Sequence, residues 1–503
     1  NFREAYERKF KKYENLEGLF PIEMSTKVDL YPEERKYKVS AAYVLQNKSE
    51  KPIYQIFITE RETLQSILFE SAILVEKDSF YGTYLFRLNS PLQPKQTLKF
   101  NYALEKKLKG FETNQSIVNN GTYIMHREFE PELGYRNGYE ISNPLERKKR
   151  GLSERIEIEP TDYHIQTTES NVGRVLYETI VSTQNDQIAL GSGELIKEWK
   201  ENNRNYYHYK SDHLIMPTMA YFSADYNVKK VNYKGISIEQ FYHPNHDVNL
   251  QDIEESTKAT LDYCIKNFGT YPFNHVRIAE IPGHWGFGGF AHPGTISMTE
   301  DRMYFIDLRD PLDFNLVAKR TIHEVAHQWF GHILAPKLVE GGSLFVEGFA
   351  KYSEAVVMNN VYGKSAIWEL SRNANNRYFT FRAHDSEQEP PLYKVLGQGY
   401  LSYGKSYTVM LALRDMIGEE KLNSVIKIMM DKHRDKVSLS ATSLEFLNEL
   451  YKVAPRKQHI LIDDWFKKVI TYDLAIDESS YIALPNDTFE VTLKVKAKRF
   501  ETI

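Results

Sequence analysis

Thr321-Ile322-His323-Glu324-Val325-Ala326-His327-Gln328-Trp329-Phe330 is the stretch on which the reading of this chain turns. Two histidines stand four apart, with a glutamate directly after the first. On a helix, residues four apart project from one face about a turn from each other, so both imidazoles reach one point in space. Leu316, Val317, Ile322, Val325, Ala326 and Trp329 supply apolar faces and Pro311 suits a first turn, which predicts a helix over 311–332. With 15 His and 68 Asp plus Glu in 503 residues, chance supplies such a motif on the order of 0.06 times per chain.

Two imidazoles on one helix face are zinc-type ligands, and a catalytic zinc needs a third protein ligand and an open position. Nineteen residues separate His327 from Glu347. They suffice for a helix end, a turn at Gly341-Gly342 and a second helix from about Ser343 that returns the Glu347 carboxylate to the same ion. Glu354, seven residues on, shares that face; it is either a hydrogen-bond partner of a ligand histidine or a plain surface acid. Glu324 is poorly placed as a ligand but well placed beside a water at the open position, to take its proton and pass it to a leaving amine.

The rest of the composition sets limits. With 42% hydrophobic and 26% charged residues and a net charge of -4, the chain reads as an ordinary globular protein and not as a nucleic-acid binder. Its single cysteine, Cys264, excludes an intrachain disulfide and a thiolate zinc site. No apolar run approaches the ~18 residues of a membrane span, so the chain itself is expected to be soluble. It opens on Asn1 and closes on Thr502-Ile503 inside an alternating pattern, which reads as an excised or processed piece.

Five hundred residues exceed one ordinary core, and two composition shifts divide the chain. Residues 2–13 are charge-rich and helix-compatible, a solvated surface or a membrane-adjacent arm. From Lys27 to about Tyr226 strand patterns dominate, as in Lys36-Tyr37-Lys38-Val39-Ser40-Ala41-Ala42-Tyr43-Val44. They predict an antiparallel β domain within 1–227. Helical periodicity then takes over, over 252–268, 343–362, 403–417, 420–432 and 443–453, giving an α+β catalytic domain over 228–473. Thr488-Phe489-Glu490-Val491-Thr492-Leu493-Lys494-Val495 alternates again, the start of a third, β domain over 474–503.

His323-Glu324-Val325-Ala326-His327-Gln328-Trp329-Phe330-Gly331, with Glu347-Gly348-Phe349-Ala350 downstream, resembles the M1 family of zinc aminopeptidases. Phe268-Gly269-Thr270-Tyr271-Pro272-Phe273 and Tyr403-Gly404-Lys405-Ser406 resemble two further segments of that family, so the likeness covers about 230 to 430. The resemblance implies a β-saddle domain, a thermolysin-like catalytic domain and a small β-sandwich, a peptide substrate and one Zn²⁺ per chain. It also implies that Tyr403 donates a hydrogen bond to the oxyanion of the tetrahedral intermediate, a task for which a phenol is suited.

Three departures from the family pattern matter. One extra residue lies between His327 and Glu347, absorbed in the Gly341-Gly342 loop. Ser406 stands where the family prefers glycine. The family's substrate-binding strand, G-A-M-E-N, aligns with Gly288-Gly289-Phe290-Ala291-His292, so Ala291 replaces the glutamate that grips the substrate's free amine. Glu128 or Glu130, where the chain resembles the family's other amine-binding acid, is expected to compensate if anything does. The extra loop residue, the segment Gln328-Trp329-Phe330-Gly331-His332 and the opening Tyr6-Glu7-Arg8-Lys9-Phe10-Lys11-Lys12-Tyr13-Glu14-Asn15 together resemble a bacterial subgroup whose M1-like domain is joined to a transporter permease. That resemblance implies an extracytoplasmic position beside membrane-spanning segments. Three functions compete: an aminopeptidase, an endopeptidase or processing enzyme, and a peptide-binding module whose metal is only structural. The base Glu324 argues against the last.

Overall fold

The computed structural model describes residues 2–16, 18–110, 112, 115–155, 160, 173–310, 313–385 and 388–502. Pro311, expected in the first turn of the two-histidine helix, lies outside them.

Among the described residues, the strand-rich half forms three sheets. The largest has seven strands, with Leu19–Tyr31 at its centre between Leu176–Gln184 and Lys36–Asn47. In Lys36–Asn47 the alternation works as the sequence predicts: Tyr37, Val39, Ala41, Tyr43 and Leu45 are buried while their neighbours face out. The expectation of an antiparallel domain needs one correction. Leu19–Tyr31 pairs with Leu176–Gln184 in parallel register, Glu23 opposite Leu176, because the long connection between them returns the chain in the same direction. A four-stranded sheet and a three-stranded one, Ile188–Leu190, Ala220–Ala224 and Thr122–Met125, complete this half.

The N-terminal helix Phe2–Phe10 departs from a solvated arm. Tyr6 and Phe10 are buried with Phe57, Leu85 and Tyr135, and Glu7 pairs with Arg147 at 2.6 Å, both side chains shielded. Its Arg3, Arg8 and Lys9 occupy the outer face, while Tyr6 and Phe10, about one turn apart, point inward.

The helical half wraps a five-stranded sheet in the order Asn227–Tyr233, Ile236–Tyr242, His275–Ile281, Thr295–Thr299, Gly289–His292. Three inner strands run parallel and the last, Gly289–His292, is an antiparallel edge. Helix Leu250–Phe268 packs on helix Leu316–Ala326, and Trp329, fully buried, donates its indole N–H to the Gly269 carbonyl at 2.9 Å. The segment after Phe268 is thus a floor: Tyr271 lies against Trp329 and Phe268 against Phe330, their ring centroids 5.3 and 5.2 Å apart. Strands Val469–Leu484 and Thr488–Thr502 form a two-stranded ribbon that leaves Leu474, Ile476, Val491 and Val495 exposed. Among the described residues no helix is long and apolar enough to cross a membrane.

His292 joins the two halves. It is 1% exposed, its Nε2 lies 2.8 Å from the Tyr123 hydroxyl and its Nδ1 2.6 Å from the Thr218 carbonyl oxygen. Burial pushes its pKa down to about 4 from 6.5. The unfolded chain therefore binds a proton between pH 6.5 and 4 that the native state refuses, so stability is full above 6.5 and falls as pH drops towards 4. At ~1.4 kcal/mol per pH unit the loss is about 3 kcal/mol. Denaturant titrations at pH 7 and 4.5 test this: His292→Gln should show a smaller acid loss than the parent, and identical profiles would remove His292 from the account.

Candidate metal centre and active-site cleft

Asn315 caps the two-histidine helix, which spans Leu316–Ala326 with His327 as its C-cap and is shorter than the expected 311–332. Its side-chain oxygen accepts the Ala318 N–H at 2.7 Å and its amide donates to Asp252 at 2.8 Å, which fixes the helix to Leu250–Phe268. Val317, Ala318, Ile322, Val325 and Ala326 are fully buried beneath, leaving His323 and His327 on the opposite face. The two Nε2 atoms lie 3.2 Å apart. Each ring is oriented from its other nitrogen: His327 Nδ1 is 3.0 Å from the Phe330 carbonyl oxygen and His323 Nδ1 is 3.1 Å from Glu354 Oε2. Glu354 is fully buried and held by Lys351 at 2.5 Å, so of the two alternatives for this acid the surface one is excluded.

Glu347 returns to the histidines as the sequence spacing requires, through an unanticipated local structure. Leu344–Gly348 is a single π turn at the head of helix Phe349–Tyr362. The turn before it needs glycine: Gly341 has φ +87°, and a Cβ there would sit 2.2 Å from the Tyr393 carbonyl oxygen. Glu347 Oε2 lies 3.3 Å from His323 Nε2 and 3.5 Å from His327 Nε2.

The three atoms form a triangle with edges of 3.2, 3.3 and 3.5 Å. An ion at bonds of ~2.0–2.1 Å in tetrahedral geometry sets its ligand atoms ~3.3–3.4 Å apart, so this donor set fits zinc without rearrangement. The electrostatics agree that the point wants positive charge. Burial would lower His327, yet the Glu347 and Glu324 charges hold it up at about 9; burial would raise Glu347, yet the two histidines hold it well below the carboxylate range. His246, Glu280 and Glu300 also cluster, but His246 Nδ1 and Glu280 Oε1 are 2.5 Å apart. That is a hydrogen-bonded pair, too close for two ligands of one ion.

Around the triangle, Glu324 packs against the edge strand. A Cβ on Gly289 would meet Glu324 Cγ at 2.8 Å and Met298 Sδ at 2.9 Å, so only glycine lets Gly289–His292 approach this closely. Gly288 runs beside Arg320, and the Phe290 ring lies under Arg127 at 5.7 Å. Ala291 is buried, its carbonyl oxygen 3.1 Å from His332 Nε2. Gln328 pins the turn that follows, accepting from the Gly294 N–H at 2.9 Å and donating to the His292 carbonyl at 3.0 Å.

Tyr403 stands in a second π turn, Leu401–Lys405, ahead of helix Ser406–Ile417, with its ring 6.0 Å from that of His323. Burial, then the Glu347 charge, push its phenol far up, so it stays protonated as a donor. Gly404 lets this turn press on helix Lys364–His384, since a Cβ would meet the Ala374 carbonyl oxygen at 2.9 Å. Lys405 is anchored by Glu389 at 2.5 Å, and Ser406, in the place of the family's glycine, hydrogen-bonds back to Ser402.

The two acids expected to compensate for Ala291 occupy different places. Glu128 caps its own turn, accepting the Met125 N–H at 2.9 Å, and its charge and that of Glu324 both reach Tyr123. Glu130 turns to His126 at 3.5 Å and to the buried Tyr43–Tyr102 pair. Sequence reading passed over Lys351, Glu389 and the whole of helix Lys364–His384. That helix buries only Ala366, Leu370, Ala374 and Tyr378. A strict four-residue stripe was the available signal, and it is narrow.

Fold and site together define an α+β domain that carries a two-histidine, one-carboxylate donor set. Residues 254–465 match the model of the Peptidase family M1 domain. The chain is 24% identical over 219 residues to probable aminopeptidase 2 of Sulfurisphaera tokodaii, covering 42% of this chain and 27% of that protein. It is 25% identical over 217 residues to human endoplasmic reticulum aminopeptidase 2, covering 41% and 22%. The matches thus span about a quarter of those relatives' lengths. Among solved structures, the M1 zinc metallopeptidase of Deinococcus radiodurans superposes with a TM-score of 0.62 at 12% identity, covering 90% of this chain and 94% of the other. A glutamate-to-alanine mutant of that protein has been solved with a Tyr-Ser-Ala substrate.

Proposed function

We propose that this chain is a zinc metallopeptidase in which His323, His327 and Glu347 hold the metal, Glu354 orients His323, and Glu324 and Tyr403 act on a peptide. The reading is supported above all by the nitrogen–nitrogen–oxygen triangle at 3.2–3.5 Å. Zinc bound there supplies a Lewis acid for the scissile carbonyl and for water. Glu324, packed on Gly289 and outside the triangle, takes the proton from the attacking water and returns it to the leaving amine. Tyr403 donates its phenolic O–H to the oxygen on which charge develops. The substrate is a peptide, as in the Deinococcus radiodurans complex, laid along the edge strand from Gly288 to Ala291.

Ala291 favours a second reading, a zinc endopeptidase or processing enzyme. A charge-assisted hydrogen bond to a substrate ammonium contributes roughly 1.5–3 kcal/mol, and a methyl group contributes none of it. One peptide with a free and with an acetylated N-terminus decides: kcat/KM for the two is expected to lie within about tenfold. A free-amine preference above roughly 100-fold, about 2.7 kcal/mol, would require an acid such as Glu128 or Glu130 and make the chain an aminopeptidase. Loss of that preference in Glu128→Gln or Glu130→Gln would show which. A digest of a peptide library, read by mass spectrometry, tests hydrolysis itself.

The division into 1–227, 228–473 and 474–503, the last opening a β-sandwich, is likewise our proposal. So is attachment to permease spans on the extracytoplasmic face, supported by the subgroup resemblance. Recovery of the native protein in the soluble fraction after cell lysis would overturn the attachment.

A further inference from the structure

We infer that Arg377 is a specificity residue that binds a carboxylate of the substrate beside Tyr403, an inference that rests on the peptidase reading above. Arg377 is exposed on helix Lys364–His384, with its guanidinium 4.6 Å from the centre of the Tyr403 ring. That ring in turn faces His323. One aromatic ring therefore separates a cation from the metal triangle.

The surroundings leave this cation unspent. Of the three arginines on the helix, Arg372 pairs with Glu369 at 2.8 Å and Arg382 with Glu389 at 2.6 Å. Arg377, between them, makes no hydrogen bond or ion pair among the described residues. Glu347 lies against both histidines, and Glu354 against Lys351 and His323. Gly399 leaves room for the guanidinium, since a Cβ there would lie 3.4 Å from Arg377 Nη2. A guanidinium over an aromatic face is partly dehydrated on that side and keeps N–H groups with which to fork a carboxylate. Ala291 puts no carboxylate on the neighbouring Gly289–His292 strand. Arg127, stacked over Phe290 without an ion pair among the described residues, has the same character.

Two sources supply such a carboxylate, the peptide's C-terminus and a Glu or Asp side chain. Peptides of one core sequence separate them: a C-terminal acid against its amide, and Glu against Gln at each position flanking the cleaved bond. One of these pairs is expected to favour the acid by roughly 10- to 100-fold in kcat/KM, carried by KM. Arg377→Gln should bring that ratio to within roughly twofold of unity, and Arg377→Glu should reverse it in favour of a Lys peptide at the responsive position. The responsive pair names the source. Dissociation constants of the same peptides for zinc-loaded Glu324→Gln protein, by calorimetry, give the comparison without turnover. If no peptide is hydrolysed the peptidase reading falls, and the calorimetric ratios still decide for or against Arg377. Equal values for acid and neutral peptides across all pairs would overturn the inference. So would a fall in kcat alike for acid and neutral substrates in Arg377→Gln, which would make Arg377 only a support for Tyr403.

Discussion

Glu324→Gln protein is expected to keep its zinc and to lose peptide hydrolysis by roughly 10²- to 10⁴-fold, the range for a removed general base. The two properties separate because Glu324 is not a corner of the triangle formed by His323, His327 and Glu347. It sits one residue after His323 and is packed against Gly289. Glutamine is nearly isosteric, so the packing is preserved while the basic oxygen is lost. Glu347→Ala is the contrasting variant. Without its carboxylate, two imidazoles remain in place of three protein ligands, and the chain should be purified without stoichiometric metal. Metal content by mass spectrometry and kcat on the same preparations check both. Full hydrolysis by metal-loaded Glu324→Gln protein would end the proposed mechanism.

Tyr403→Phe should lower kcat by roughly 10²-fold, with little change in KM or zinc content. The hydroxyl is the only atom removed. The π turn, the Gly404 approach to helix Lys364–His384 and the Lys405–Glu389 pair that position the ring are untouched. A donor aimed at charge that appears only in the transition state acts on kcat, whereas one that holds the ground state would raise KM. An unchanged kcat would place the oxyanion donor elsewhere. A large loss of zinc would instead make Tyr403 a support for Glu347.

The sequence by itself determined the two-histidine motif, the strand alternation of Lys36–Asn47, the return of Glu347 and the alanine at position 291. Each is local: a four-residue spacing, a two-residue period, a loop long enough to turn, the identity of one side chain. Only the tertiary structure decided the rest. Glu347 and Tyr403 each stand in a π turn, where one extra residue per turn re-aims a side chain, and no periodicity in a single sequence announces it. Glu354 was ambiguous until helix Phe349–Tyr362 was packed, because only packing reveals whether an acid on a helix faces water or a histidine. The charged N-terminal segment reads as solvated because its charged residues outnumber its aromatics; docking buries Tyr6 and Phe10 and leaves Arg8 and Lys9 outside. The parallel pairing of Leu19–Tyr31 with Leu176–Gln184 joins residues some 150 positions apart in the chain. The placement of Arg377 on Tyr403 is a contact of the same kind. Hydrophobic patterning fixes which face of an element is buried, and it carries no information on which distant element will cover that face.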